Sequence, residues 1–454
     1  MSYVTRQQKD WIEMLYGDQE NLSIYLDMLD TFGKLVEKTV LPAEQKTELQ
    51  RSRNPLEYLK ENLEQREQID RAAIEEMVDE IKNEEKIPGE VYDRIVEFGL
   101  PGASFTEELG GVGFPYSVFI AFLETLGKAS PSIGVRYAIS NTVAEGLRFN
   151  HAAGALSEYG EKILKELVAG EKLAAFGLTE ASASGSNIMR EMTTRAVLSA
   201  DGTYYRIDGN KMFITNAGTA DVYAIFAKTS DDPKQGISLF IVERETRGFG
   251  IGQLFEKRIV ENSSLGELVL DAVEVPVANL VGKAGYGMRY AVRMLNSGRV
   301  TIAALAVGLA QRAFEEYLNI AVEGKKSAGK HLVEYDRTQA KIAEISMEIN
   351  AARDMTYRAA WLKGRYDADP DNSEFLREYV LEGNGAKLKA SLVAQKACDY
   401  LIKIGGASSV VKENPVMKHY LDSWLYYFGE AVPEVLENII AGMEVKKHNM
   451  RKGL

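Results

Sequence analysis

With 454 residues, 45% hydrophobic and 26% charged, the chain has the composition of a globular protein and the length of two to four domains or one multi-lobed subunit. A net charge of −12 argues against a nucleic-acid or anionic-membrane surface as the main partner, because phosphate contacts need clustered Lys and Arg. A single cysteine, Cys398, excludes an intrachain disulfide and a cysteine zinc site, and four scattered histidines show no metal spacing, so no metal is expected. The amino terminus lacks an apolar signal core, and the longest uncharged apolar run, VTIAALAVGLAQ (300–311), is too short to span a bilayer. The expectation is a soluble protein of a reducing compartment, the cytoplasm.

Residues 1 to about 165 read as helices. Between 21 and 41, Leu22, Tyr25, Leu29, Phe32, Val36 and Val40 recur at three- and four-residue steps and give one apolar face. Ile69, Ile74, Met77 and Ile81 predict a second helix over 66–85, and the pattern returns in SVFIAFLETLGKA and around 160–168. From about 172 to 276 the period changes. YYRIDGNKMFIT, DVYAIFAKT, ISLFIVE and GELVLDAVEVP are short β-branched and aromatic runs separated by turn signals, which predicts an all-β insert. Long helices follow over 286–323, 334–365, 373–404, 413–427 and 433–448, with a polar loop at YDADPDNSEF. The fold class expected is α+β and multi-domain: an extra helical segment (1–60), a helical domain (61–170), a β domain (171–285) and a helical bundle (286–454).

Four stretches carry candidate chemistry. AAFGLTEASASGSN (174–187) enters a loop of small residues that lets backbone N–H groups approach a ligand, although a flexible surface loop has the same composition. KMFITNAG (211–218) is read as closing a hairpin onto DVYAIFAKT. On one strand Phe213 and Thr215 share a face, where the aromatic can cover a flat heterocycle and the hydroxyl can bond its rim; the alternative is that Phe213 is core. EGKKSAGKH places Lys325, Lys326 and Lys330 at the end of a long helix, favourable for the helix dipole and also for a pyrophosphate. Finally, YYFGEAVPEVLENIIAG (426–442) holds Glu430, Glu434 and Glu437. Glu430 sits among apolar and small neighbours, where desolvation raises a carboxyl pKa toward that of a general base. Neither Glu430 nor Ala431 is proline, so both keep an N–H for a substrate carbonyl.

Taken in order, ASFTEELGGVGF, AFGLTE with its GSN loop, GNKMFITNAGTADVYAIFAKT, GELVLDAVEVPVANLVG, GRVTIAALAVGLAQRAFEEYL and IGGASSVVKENPVMKHYLD resemble the acyl-CoA dehydrogenase family from about residue 66 onward. The resemblance implies a helical domain, a β-barrel-like domain and a four-helix bundle, assembled as a homodimer or homotetramer around FAD. It further implies an acyl-CoA substrate, dehydrogenated to the 2,3-enoyl-CoA, and an electron-transferring flavoprotein as acceptor. By motif position it places Phe213, Ile214 and Thr215 against the flavin ring and Leu178 and Thr179 at its pyrimidine edge. Ser186, or Gly185 on another placement of the loop, falls at the junction of FAD and CoA. Asn296, Arg299 and Ala431 fall on the substrate side, and Glu430 on the catalytic base. Departures cluster on the FAD tail. Lys325 replaces an arginine, Ala328 an aromatic, Ile402 a glutamine beside the retained Gly405 and Gly406, Leu421 an arginine, and Val432 a threonine. An oxidase of the same fold, or a non-catalytic CoA- or flavin-binding relative, are the alternative readings.

Overall fold

The computed structural model describes residues 4–16, 22–42, 89–182, 188–412 and 414–452. The helix expected over 66–85 and the loop residues Gly185 and Ser186 lie outside them. Helices α1 (Arg6–Tyr16) and α2 (Leu22–Leu35) are followed by α3 (Gly89–Glu97), α4 (Tyr116–Ala129), α5 (Pro131–Ala152) and α6 (Glu158–Ala169). As the spacing predicts, Tyr25, Leu29 and Phe32 of α2 are buried, with Val36 and Val40 in the wide turn beyond it. Ser130 and Ser157 start α5 and α6 by accepting the N–H of Ile133 (3.3 Å) and Gly160 (3.1 Å), and Gly170 in a left-handed conformation stops α6.

All fourteen residues of α4 are buried, including two charged ones. Its charges are therefore paired: Lys128 with Glu315 at 2.7 Å, and Glu124 with Arg353 at 2.8 Å. Arg353 also donates to Gln7 (2.6 Å) and Gln311 (2.9 Å), so the amino-terminal segment meets the helical core through a buried guanidinium. Gln8 donates to the Ala121 carbonyl, and Trp11 stacks on Tyr357 at 5.9 Å.

The middle of the chain is a curled sheet of β1 (Ala174–Gly177), β2 (Arg195–Leu198), β3 (Tyr204–Thr215), β4 (Val222–Lys228), β5 (Ile237–Glu243), β6 (Phe249–Leu254) and β7 (Leu265–Pro276). Strand β4 lies parallel to β1 and antiparallel to β5, with both faces covered: Val222, Ala224 and Phe226 face the helices, while Tyr223, Ile225 and Ala227 face the interior of the sheet. The hairpin expected between 204–215 and 221–229 does not form. Strand β3 pairs instead with β2 and β7, because β4 is taken by β1 and β5. Strands β2 and β6 escape a reading by pattern, since one is four residues long and FGIGQL is interrupted by glycine.

Five helices complete the chain: α7 (Gly287–Asn319), α8 (Asp336–Ala368), α9 (Ser373–Gly405), α10 (Val416–Phe428) and α11 (Pro433–Lys452). The segment 296–310 of α7 is continuously buried, because helices surround it. Glycines set the closest crossings. A Cβ on Gly127 would stand 2.3 Å from the Leu305 carbonyl oxygen, and one on Gly308 would stand 2.1 Å from that of Glu124. Among the described residues no helix is long and apolar enough to cross a membrane.

Gly308→Ala should lower the unfolding midpoint, with a loss of about 1–3 kcal/mol, because the added methyl meets backbone that cannot turn aside. Gly364→Ala, on an exposed stretch of α8 where a Cβ meets nothing, should be neutral or stabilising by up to about 1 kcal/mol. Denaturant titration of the two variants checks both; equal midpoints would contradict the packing argument.

Candidate active site

Glu430 lies in the four-residue link between α10 and α11, and three contacts define its setting. Its carboxyl rests on the bare α-carbon of Gly298 in α7, where a Cβ would stand 2.6 Å from the Glu430 Cδ. Its carbonyl accepts a hydrogen bond from Arg299 Nε at 3.1 Å, and the same guanidinium donates to Asn296 Oδ1 at 3.0 Å. Lys387 of α9, wholly buried, donates to the carbonyls of Tyr427 (3.1 Å) and Ala431.

The residue as a whole is half-buried, yet its Oε2 is sealed from solvent and has no hydrogen-bond partner. Burial pushes the Glu430 carboxyl up to about 7, against the opposing pull of Arg299 and Lys387. Desolvation therefore outweighs two neighbouring cations. The same burial lowers Lys387 to about 7 and Arg299 below its usual range. The surroundings are thus less apolar than the flanking sequence suggests. Glu434 and Glu437 are exposed, and Glu434 accepts the Tyr427 hydroxyl at 2.9 Å.

Backbone strain gathers at the candidate residues. Seven described non-glycine residues have left-handed φ, and three of them are candidates: Phe213 (57°), Glu430 (58°) and Ala431 (108°). Such conformations cost about 1–3 kcal/mol each and persist where the surroundings impose them. For Phe213 the cause is a register break between Lys211 and Ile214 in the β3–β7 pairing. The break leaves Phe213 59% exposed, so it is not core, and sets its ring 5.5 Å from that of Phe255. Thr215 is half-buried, whereas the Ile214 side chain turns into the sheet core.

Beside this strand, Thr179 is exposed and its carbonyl accepts from Met212 N at 3.0 Å, while Leu178 is buried. A buried ion pair holds the two segments together: Lys211 Nζ meets Glu180 Oε1 at 2.7 Å, and Glu180 also accepts both the N–H and the hydroxyl of Thr193 and of Thr194. Those partners keep the Glu180 carboxyl low, at about 2, despite its burial. Asn216, next after Thr215, ties the strand end to the carbonyls of Arg136 (3.1 Å) and Ala174 (2.9 Å).

The basic stretch needs correction. Helix α7 ends at Asn319, a wide turn runs to Gly324, and Lys326 and Lys330 sit on a two-residue hairpin rather than on a helix end. Lys325 donates to the Gly405 carbonyl, and its Nζ lies 3.4 Å from where a Cβ on Gly406 would be. Gly406 itself is left-handed. These three residues therefore come together, as the Glu430 group does. Val432 gives its carbonyl to the first turn of α11, accepting from Val435 (3.1 Å) and Leu436 (3.2 Å).

Sequence reasoning missed Gly298, Lys387 and the Lys211–Glu180 pair. Lys387 had a signal: on α9 it shares a buried stripe with Gly383, Ala390 and Ala394, where a lysine is out of place. Among the described residues no group of side chains could hold a metal ion.

Comparison with known proteins agrees with this layout. The family descriptions "Acyl-CoA dehydrogenase, N-terminal domain", "middle domain" and "C-terminal domain" match residues 57–171, 175–273 and 285–443. The short-chain-specific acyl-CoA dehydrogenase of Clostridium acetobutylicum is 33% identical over 365 residues, covering 80% of this chain and 91% of that protein. A subunit of the caffeyl-CoA reductase-Etf complex of Acetobacterium woodii is 30% identical over 82% of this chain and 94% of its own. The crystal structure of an acyl-CoA dehydrogenase complexed with FAD from Bacillus anthracis superposes with a TM-score of 0.76 at 27% identity, covering 95% of this chain and 68% of that one. Sequence, fold and helix–sheet–helix order agree, and the chain belongs to the acyl-CoA dehydrogenase family.

Proposed function

We propose that this protein dehydrogenates an acyl-CoA thioester between Cα and Cβ, with Glu430 as the base that takes the α-proton. One observation carries the reading. A carboxyl with its Oε2 sealed from water and unpaired, and a pKa near neutrality, is fixed on a strained turn against a glycine. A solvated surface glutamate needs none of these.

The family's cofactor is FAD, and the exposed ring of Phe213, with Phe255 tilted at 35° beside it, offers an apolar surface that suits the flavin ring. On this reading Phe213, the Ile214 backbone and Thr215 flank the ring and Leu178 and Thr179 meet its edge, while Lys325, Gly405, Gly406 and Val432 line the way to the tail. When bound, FAD supplies the acceptor for the β-hydride. The protein's own work is to orient and to hold a proton. The N–H groups of Glu430 and Ala431 donate to no protein acceptor among the described residues, which leaves them for a thioester oxygen. Glu430 then holds the α-proton at its carboxylate as the Cα–Cβ double bond forms, giving the 2,3-enoyl-CoA. Reoxidation by an electron-transferring flavoprotein, and a homo-oligomeric assembly, belong to the same reading.

Glu430→Gln should retain FAD and acyl-CoA binding and lose about 10²–10⁴-fold in the rate of flavin bleaching by acyl-CoA, the range that general-base catalysis contributes. Glu434→Gln should stay near wild type. An active Glu430→Gln beside an inactive Glu434→Gln would refute the assignment.

The rate should rise with pH through about 7, because the base works ionised and its carboxyl titrates there. A profile of reduction rate against pH tests this; an acid limb near the ordinary glutamate value would mean that Glu430 is not the titrating group.

Gly298→Ala should cost little stability, because the new methyl meets the end of a movable side chain. It should nevertheless lower turnover by tenfold or more, on the order expected when a base is displaced by about 1 Å. Thermal melts and reduction rates measured on the same preparation separate the two effects.

A further inference from the structure

We propose that Lys387 is the positioning residue of the base: its ammonium ties the carbonyls on either side of Glu430 and supplies the positive charge that keeps that carboxylate ready to accept a proton. The inference rests on the reading of Glu430 as the base and extends it to a residue of another helix.

The argument starts from the cost of the side chain. Lys387 is completely buried on the stripe of α9 that carries Gly383, Ala390 and Ala394. An apolar residue of similar volume would fill that place without desolvating a charge, so retaining an ammonium calls for a compensating interaction. Two carbonyls provide part of it. Tyr427 O belongs to the last turn of α10, where a cation also suits the helix dipole, and Ala431 O lies just beyond the base. Lys387 thus spans the turn and Arg299 holds its middle through Glu430 O, so the carbonyls of 427, 430 and 431 are all fixed by cations from α7 and α9. The turn needs such holding, because Glu430 and Ala431 are both in left-handed conformations.

A purely structural role would end there. The charge goes further. The groups acting on Lys387 are Glu430, Arg299 of α7 and Glu434 of α11, and those acting on Glu430 are Arg299 and Lys387. Within that small set, Lys387 is one of two charges that favour the ionised carboxylate. Removing it leaves burial less opposed, so Glu430 must bind its proton more tightly and work only at higher pH.

The test uses the full chain loaded with FAD, reduced anaerobically by whichever of butyryl-, octanoyl-, palmitoyl- and glutaryl-CoA bleaches the wild type fastest. Lys387→Met should keep the wild-type flavin content, reduce at least about tenfold more slowly and shift the acid limb upward by about one pH unit. Lys387→Arg should restore most of the rate with the limb back near its wild-type position. If Lys387→Met fails to fold, Lys387→Gln keeps an amide donor without the charge, and the same upward shift is expected. A Met or Gln variant with the wild-type rate and an unmoved limb, alongside an inactive Glu430→Gln, would overturn the role of Lys387 and leave the base standing. An active Glu430→Gln, or a wild type reduced by none of the four thioesters, would remove both.

Discussion

Keeping one carboxyl oxygen out of water imposes conditions on two helices at once. Glu430 packs on Gly298, so α7 must present bare backbone at that point. Its turn is left-handed at two successive residues, so its carbonyls must be held from outside, by Arg299 of α7 and Lys387 of α9. Those cations lie in a low-dielectric interior, where they act strongly and are themselves perturbed. The long helices α7 and α9 thereby work as a rigid frame for a short, strained link. Rigidity of this kind is what fixed orientation of a reacting group requires.

The sheet side follows a parallel logic with different parts. A register break pushes Phe213 outward, and a buried Lys211–Glu180 pair clamps the neighbouring segment to the same strand. The two sides are joined within the chain: the N–H of Val260, on the β6–β7 connection, donates to Asp422 Oδ1 of α10 at 2.6 Å. Asp422 also meets Lys418, and α10 leads directly into the Glu430 turn. Aromatic platform and carboxyl are thus referenced to each other through one short polar link.

Much of the architecture was legible in the sequence because long helices and β-branched strands leave strong periods. The five carboxy-terminal helices were placed within a few residues, and the α2 face was read residue by residue. What pattern could not supply was pairing. Strand β3 reads as half of a hairpin, yet its partners are β2 and β7, and only three-dimensional crowding around β4 decides that. The site shows the same division. Glu430 stood out by its small neighbours, and Phe213 and Thr215 by their spacing. Gly298 and Lys387 did not, because their importance lies in what approaches them from 40 or more residues away. The Lys325 stretch read as a helix end, and Lys325 does cap the wide turn that prolongs α7, but Lys326 and Lys330 lie on the hairpin beyond it.

The buried guanidinium of Arg353 has a consequence for how the molecule is assembled. It bonds Gln7 across 346 positions of sequence and Glu124 across 229, and Trp11 stacks on Tyr357 nearby. Such contacts close very long loops, so they form late and slow the search for the native state. On a ribosome the first helix would emerge long before its binding surface exists. The contacts of the amino-terminal segment to Arg353 and Tyr357 must wait until α8 has been synthesised, even though its partner Ala121 on α4 is made earlier.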